Sequence, residues 1–154
     1  MFIELKPIAE PAAGFPVRHP SADDTEALAA LMLDAYLGTI DADGSETLDD
    51  ARAEVSGYFS ASGREPMIHQ SFVAFDGDRP VSAVLVSRYD GVPMIAYAMT
   101  TATHKGRGLA TALATRSLAA LHAAGEPQAQ LWVTPGNTPA ERIYERLGFR
   151  DASG

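Results

Sequence analysis

The order of apolar runs and helix signals predicts an α+β domain of three layers, α/β/α, around a mixed and mostly antiparallel central sheet. Three observations carry that prediction. Residues 71–75, 81–87 and 93–100 are β-branched and aromatic runs separated by short turns, the pattern of an antiparallel meander. A long helical stretch at 108–124 followed by a short apolar run at 130–133 reads as a strand–helix–strand crossover. Two helical stretches precede the meander and one short one closes the chain, so both faces of the sheet can be covered.

Each element has its own signal. Residues 2–5 and 15–19 read as short strands, with Pro7, Pro11, Gly14 and Pro16 punctuating the chain between them. Ser21 or Asp23 can cap a first helix, in which Leu28, Leu31, Met32 and Ala35 fall on one face and Gly38 stops the pattern. A polar connection, 39–45, leads to a second helix at about 47–60. Asp76-Gly77 marks the first hairpin of the meander, and Tyr89-Asp90-Gly91 the second turn. Gly125 ends the long helix, and residues 139–147 form a last helix with Ala140, Ile143, Tyr144 and Leu147 on one face. No repeat or linker divides the chain, so residues 1–154 are expected to form one domain, with 1–14 as an N-terminal extension.

Composition narrows the function classes. Hydrophobic residues make up 46% and charged residues 21%, which suits a packed globular chain and excludes wholesale disorder. No apolar run of about 18 residues is present. With no basic start and apolar stretch to serve as an export signal, a cytoplasmic location is the default expectation. Cysteine is absent, which removes thiolate catalysis, disulfides and cysteine-ligated zinc. His19, His69, His104 and His122 show no paired metal spacing, and an EF-hand reading of 41–52 fails at Glu46 and Arg52, so no metal is expected. The net charge of −8 disfavours nucleic acid as a partner, and nothing points to a membrane. Residues 1–100 hold 16 acidic and 6 basic residues, whereas residues 101–154 hold 4 and 6. One part should attract cations while the other tolerates an anion.

The stretch Thr100-Thr101-Ala102-Thr103-His104-Lys105-Gly106-Arg107-Gly108-Leu109-Ala110-Thr111 carries the chemistry. A strand ends, a glycine-rich turn follows and a long helix begins. The first helical amides lack acceptors, and with the helix dipole they favour an anion. Gly106 and Gly108 let the main chain come close to an oxygen cluster, and Lys105 and Arg107 add positive charge. The Walker pattern is absent, and Thr111 breaks G-x-G-x-x-G.

The segment Lys105-Gly106-Arg107-Gly108-Leu109-Ala110 resembles the Q/R-x-x-G-x-G/A motif of the GCN5-related N-acetyltransferases, with lysine at the position usually held by Gln or Arg. Asn137-Thr138-Pro139-Ala140-Glu141-Arg142-Ile143-Tyr144-Glu145-Arg146-Leu147-Gly148-Phe149 resembles the N-x-x-A-x-x-x-Y-x-x-x-G-F segment of the same family. The resemblance runs from about residue 71 to 149 and implies that family's topology and an acyl-CoA-dependent N-acyltransferase. Acetyl-CoA would be the cosubstrate, and direct attack in a ternary complex would serve a primary amine on a small molecule or peptide. It implies that main-chain groups near Met99 and Thr100 hold the pantetheine arm and polarise the acetyl carbonyl. Gly106, Gly108, Leu109, Ala110 and Thr111 would offer amides to the diphosphate, flanked by Lys105 and Arg107, and Asn137 would touch the arm from the other side. Tyr144 would protonate the leaving thiolate, although its helix face equally suits a core aromatic. Candidates for the general base are Asp41, Asp43 and Glu46, with His69 and His104 behind them. A non-catalytic CoA-binding sensor or interaction module is the alternative from another class, and a nucleotide-binding protein using the same loop is another.

The family usually continues with a further strand, whereas here five residues follow Phe149. The strand at 2–5 is expected to fill that place, in the same subunit or in a partner, the latter making a homodimer.

Overall fold

The computed structural model describes residues 1–36, 45–61, 64–133 and 136–151. Among the described residues the α-helices and strands follow in chain order: β1 (Phe2–Glu4), β2 (Val17–Arg18), α1 (Thr25–Tyr36), α2 (Leu48–Phe59), β3 (Glu65–Pro66), β4 (Phe72–Asp76), β5 (Arg79–Tyr89), β6 (Val92–Thr100), α3 (Leu109–Ala123), β7 (Gln128–Leu131) and α4 (Thr138–Leu147). Among the described residues the strands form one sheet in the order β1-β7-β6-β5-β4-β2, with β3 pairing β5 outside that path. All neighbours are antiparallel except β6 and β7. The expected mixed sheet with helices on both faces is present.

Local chemistry sets the element ends. Thr47 caps α2: its Oγ1 accepts from Asp50 N–H at 3.2 Å, and Asp50 Oδ2 accepts from Thr47 N–H at 3.0 Å. Ahead of α1, Asp24 accepts from Ser21 N–H at 2.8 Å and receives a two-pronged bond from Arg18, at 2.8 and 2.7 Å. That guanidinium holds the Asp24 carboxyl below its ordinary range. The meander strands β5 and β6 extend past their predicted bounds at both turns, because the apolar pattern fades there before the ladder does. The predicted strand at 130–133 lies two residues earlier, as β7, and Trp132 and Val133 fall beyond it. β3 was not predicted; two residues, one of them proline, carry no period.

Two cores sandwich the sheet. On one face α3 packs Leu109, Leu113, Leu118 and Leu121 against Val81, Val84, Val86 and Ile95, with Phe149 buried among them. On the other, Leu28, Leu31 and Met32 of α1 and Val55 and Tyr58 of α2 pack on Val73, Ala83, Leu85 and Met99. From Ala83 to Val86, successive residues of β5 serve opposite cores, which is the two-residue period of a sheet covered on both sides. No helix among the described residues is long and apolar enough to cross a membrane.

At one edge β1 pairs with β7 in the same chain, Ile3 opposite Ala129. Phe2 and Arg150 exchange main-chain bonds at 2.7 and 2.8 Å on its outer side. Gly148, at φ 110°, has no Cβ to press on Ile3, whose Cδ1 would lie 3.2 Å from one. The N-terminal strand therefore lies beside β7 in the same chain, with Arg150 bonded on its outer side.

The middle of β5 has no strand on one side, between the end of its β4 pairing at Val84 and the start of its β3 pairing at Ser87. Side chains close the gap. Ser71 Oγ accepts from Val86 N–H and donates to Met67 O, both at 2.8 Å. Val86 O accepts from Met67 N–H at 2.8 Å and from Tyr58 OH at 2.9 Å. Tyr58 is 7% exposed, and burial pushes its phenol up to about 12. Replacing Tyr58 by Phe should lower unfolding free energy by about 1–3 kcal/mol in urea titrations, since a buried carbonyl loses a partner. A change near zero would mean that the phenol bond stabilises nothing. Because the folded phenol holds its proton above its unfolded pKa, the stability it confers is complete below about pH 10 and is lost as pH rises towards 12; in Tyr58→Phe that alkaline loss should be smaller.

Candidate active site

The parallel pairing of β6 and β7 is short. Met94 faces Gln130 and Ile95 faces Leu131, and the ladder ends there. On its other side β6 slips register against β5 between Leu85 and Val86, so that Ala96 is an extra residue. Such a bulge bends a strand and changes the direction of the residues after it. Beyond this point a cavity of about 750 Å³ separates Ala96, Tyr97 and Ala98 of β6 from Trp132 and Val133, which follow β7. Met32, Leu33 and Tyr36 of α1 line it, as do Asp50 and Glu54 of α2, Glu46 before it, and Asn137, Ala140 and Tyr144 at α4.

Thr101 N–H donates to Val81 O at 2.9 Å. By the alternation of an antiparallel ladder, Thr100 and Ala98 then turn their main-chain groups away from β5, towards the side that β7 has left. Met99 turns its own towards β5, where its carbonyl accepts from Ser82 Oγ at 2.9 Å, and its side chain is buried in the α1–α2 core. The predicted pair Met99 and Thr100 thus has its two residues facing opposite ways.

β6 continues through a turn at Ala102–His104 into the glycine loop. Gly106 and Gly108 have φ of 81° and 76°, a region where a Cβ is costly. Gly108 is the N-cap of α3, which starts at Leu109, so no capping side chain covers the helix end. Ala112 N–H donates to Gly108 O at 2.9 Å, the first bond of the helix. None of the described residues accepts from the N–H groups of Leu109, Ala110 or Thr111. With the positive end of a 15-residue helix behind them, these amides form a site for an anion. Arg107 is exposed beside them. Lys105 is exposed as well, but its ammonium donates to Ala35 O at 2.7 Å, at the end of α1.

Asn137 and Tyr144 meet at the cavity. Asn137 is the N-cap of α4, its Oδ1 accepting from Ala140 N–H at 3.4 Å, so one residue caps the helix and lines the cavity. Tyr144 is half-buried against the α3-side core and makes an edge contact with Phe149 at 5.9 Å between ring centres. Burial pushes its phenol up to about 12, which keeps it protonated at neutral pH.

Of the base candidates, Asp41 and Asp43 lie outside the described residues. Glu46 lines the cavity. His69 is away from it, edge-on to His19 at 5.7 Å. His104 precedes the loop and is held by Thr101 Oγ1 at 3.0 Å and Thr103 Oγ1 at 2.9 Å, with Asp76 at 3.4 Å. Glu54, which sequence reasoning missed, stands in the cavity wall and accepts from Tyr97 OH of β6. Burial, then the Glu54 carboxylate, push the Tyr97 phenol up. The four-residue spacing of Asp50 and Glu54, one face of the predicted helix, was the available signal. Trp132, also missed, is 61% exposed at the cavity and stacks edge-on against Tyr89 at 5.0 Å. Among the described residues no group of three or more His, Asp or Glu side chains could hold a metal.

Comparison with known proteins agrees with this architecture. Residues 81–153 match the FR47-like protein family. A GCN5-related N-acetyltransferase from Sphaerobacter thermophilus superposes with a TM-score of 0.74 at 20% identity, over 97% of this chain; the chain spans 46% of that protein's length. The PaiA N-acetyltransferase from Thermoplasma acidophilum, in complex with coenzyme A, gives 0.69 at 15% identity, covering 90% of this chain and 94% of that one. A GNAT family acetyltransferase from Brucella melitensis, in complex with acetyl-CoA, gives 0.68 at 17%, covering 89% and 83%. No curated protein matches the chain. A cavity opened by two parting strands, an uncapped helix start after αL glycines, and these likenesses together show that the chain has the fold of the GCN5-related N-acetyltransferases, with an FR47-like region at residues 81–153.

Proposed function

We propose that the protein is an acyl-CoA-dependent N-acyltransferase that moves an acetyl group from acetyl-CoA to a primary amine of a small molecule or peptide. The observation that carries this reading is the cavity between β6 and Trp132–Val133, which holds a phenol and carboxylates and whose strand β6 runs directly into the anion-binding loop. The free amides of Leu109, Ala110 and Thr111, with Gly106 and Gly108, receive the diphosphate. The pantetheine arm lies along Ala98 and Thr100, in the space β7 leaves, with Asn137 opposite. The coenzyme A and acetyl-CoA complexes among the structural relatives support a CoA-type cosubstrate.

The chemistry follows from the groups in the cavity. An ammonium acceptor is drawn to the wall of Glu46, Asp50 and Glu54. Glu54 takes its proton, directly or through a water molecule. The neutral amine attacks the thioester carbon; a C–N bond forms, the attacking nitrogen releases its extra proton to solvent water, and the C–S bond breaks. Tyr144 gives its proton to the departing thiolate and is recharged from solvent. No covalent enzyme intermediate is needed, and the chain has no cysteine to form one.

An amine panel with acetyl-CoA, followed by release of free thiol, should find a selective acceptor; a non-catalytic module would release none. Tyr144→Phe should slow turnover about 10²-fold while calorimetry shows CoA binding within about twofold of wild type, within the noise of a surface change. Equal turnover in the two proteins would remove Tyr144 from the reaction. Glu54→Gln should lower kcat/KM about 10²-fold. The phenol of Tyr144 stays protonated up to about 12 instead of 10, so its loss cannot limit the rate below pH 10. A descending limb with a midpoint under pH 10 that vanishes in Tyr144→Phe would contradict the upward shift of the buried phenol.

A further inference from the structure

α1 ends in a way that its own sequence does not support. Its last turn has no basic residue, and Asp34 places a carboxylate near the negative end of the helix dipole. Both features are compensated from one place, the segment leading into the anion loop. Asp34 Oδ2 accepts from Ala102 N–H at 2.9 Å. Lys105 Nζ donates to Ala35 O at 2.7 Å, bringing a cation to the helix end that lacks one. The two bonds hold both ends of residues 102–105 to the final turn of α1. That turn also carries Leu33 and Tyr36 into the cavity wall on the acceptor side.

We propose that Lys105 and Asp34 form a clasp that couples the cofactor loop to α1, so that Lys105 is a positioning residue for the acceptor wall and not a ligand of the diphosphate. The inference rests on the transferase reading given above. When the amides from Gly106 onward close on a diphosphate, the adjoining segment 102–105 is fixed, and the clasp passes that order to residues 33–36. The lysine that stands where the resembling motif has Gln or Arg then has a reason of its own. A guanidinium or amide there would serve planar hydrogen bonding to oxygens, whereas an ammonium on a flexible stem can reach back to a single helix carbonyl.

Hydrogen exchange read by mass spectrometry, with CoA itself as the probe, tests the clasp on the whole chain. In the wild type, saturating CoA should slow exchange across residues 31–36 about tenfold, within the usual range of coupling between sites. In Lys105→Met this slowing should disappear while the Kd for CoA, from calorimetry, stays within about threefold, since no phosphate contact is lost. Asp34→Ala should also abolish the slowing, although removing an acid from a helix C-terminus would by itself stabilise α1. A plain helix cap would raise exchange equally with and without CoA and leave the slowing intact; that result overturns the clasp. So does a loss of CoA affinity of about tenfold or more in Lys105→Met, which would make Lys105 a diphosphate ligand worth a charged hydrogen bond. A wild type that binds no CoA would overturn the transferase reading itself, and the clasp with it, and is told apart by the first calorimetric titration.

Discussion

The structure turns on where two parallel strands stop pairing. β6 and β7 share Met94–Gln130 and Ile95–Leu131 and no more, and the extra residue Ala96 bends β6 at that point. Main-chain groups that would have been paired now face a cavity, and polar backbone away from water requires partners. A molecule with its own amides, such as a pantetheine arm, can supply them. The opposite edge of β5 faces the same difficulty at Val86, and there it is solved permanently, by Ser71 and Tyr58. One break in the sheet is closed with side chains and the other opens into the cavity.

Charge is distributed to match. The helix start at Leu109 presents amides and the positive end of a dipole, and Arg107 lies beside it. Across the cavity the wall presents Glu46 and, from α2, Asp50 and Glu54. An anionic cofactor and a cationic acceptor would therefore enter from opposite sides and meet near Tyr144. Tyr144 belongs both to the α3-side core and to the cavity, so the two readings of its helix face are compatible: the packing that buries the ring also raises its pKa.

The parts legible in the sequence were those written in local pattern. Glycines at 106 and 108 announced a turn and an uncapped helix, and the structure places both in the left-handed region. Alternation and turns announced the meander, and the short strand at the N-terminus lies at the sheet edge beside β7. What stayed hidden depends on contacts between distant elements. Glu54 and Tyr97 are 43 residues apart, and only the packing of α2 over β6 brings them together. Lys105 finds its partner 70 residues earlier, on a helix whose own pattern gives no hint of it. The end of β7 at Leu131 was missed because Trp132 and Val133 have strand character, yet they serve the cavity and not the ladder.

Binding of CoA in the parting of β6 and β7, with its diphosphate on the start of α3, can be followed on the amides themselves. Titrating CoA into 15N-labelled protein and following amide resonances tests it most directly. The account predicts that Gly106 and Gly108 through Thr111 shift most, together with Ala98 and Thr100 in the parting. Saturation with those amides unmoved, or with shifts confined to another surface, would contradict it.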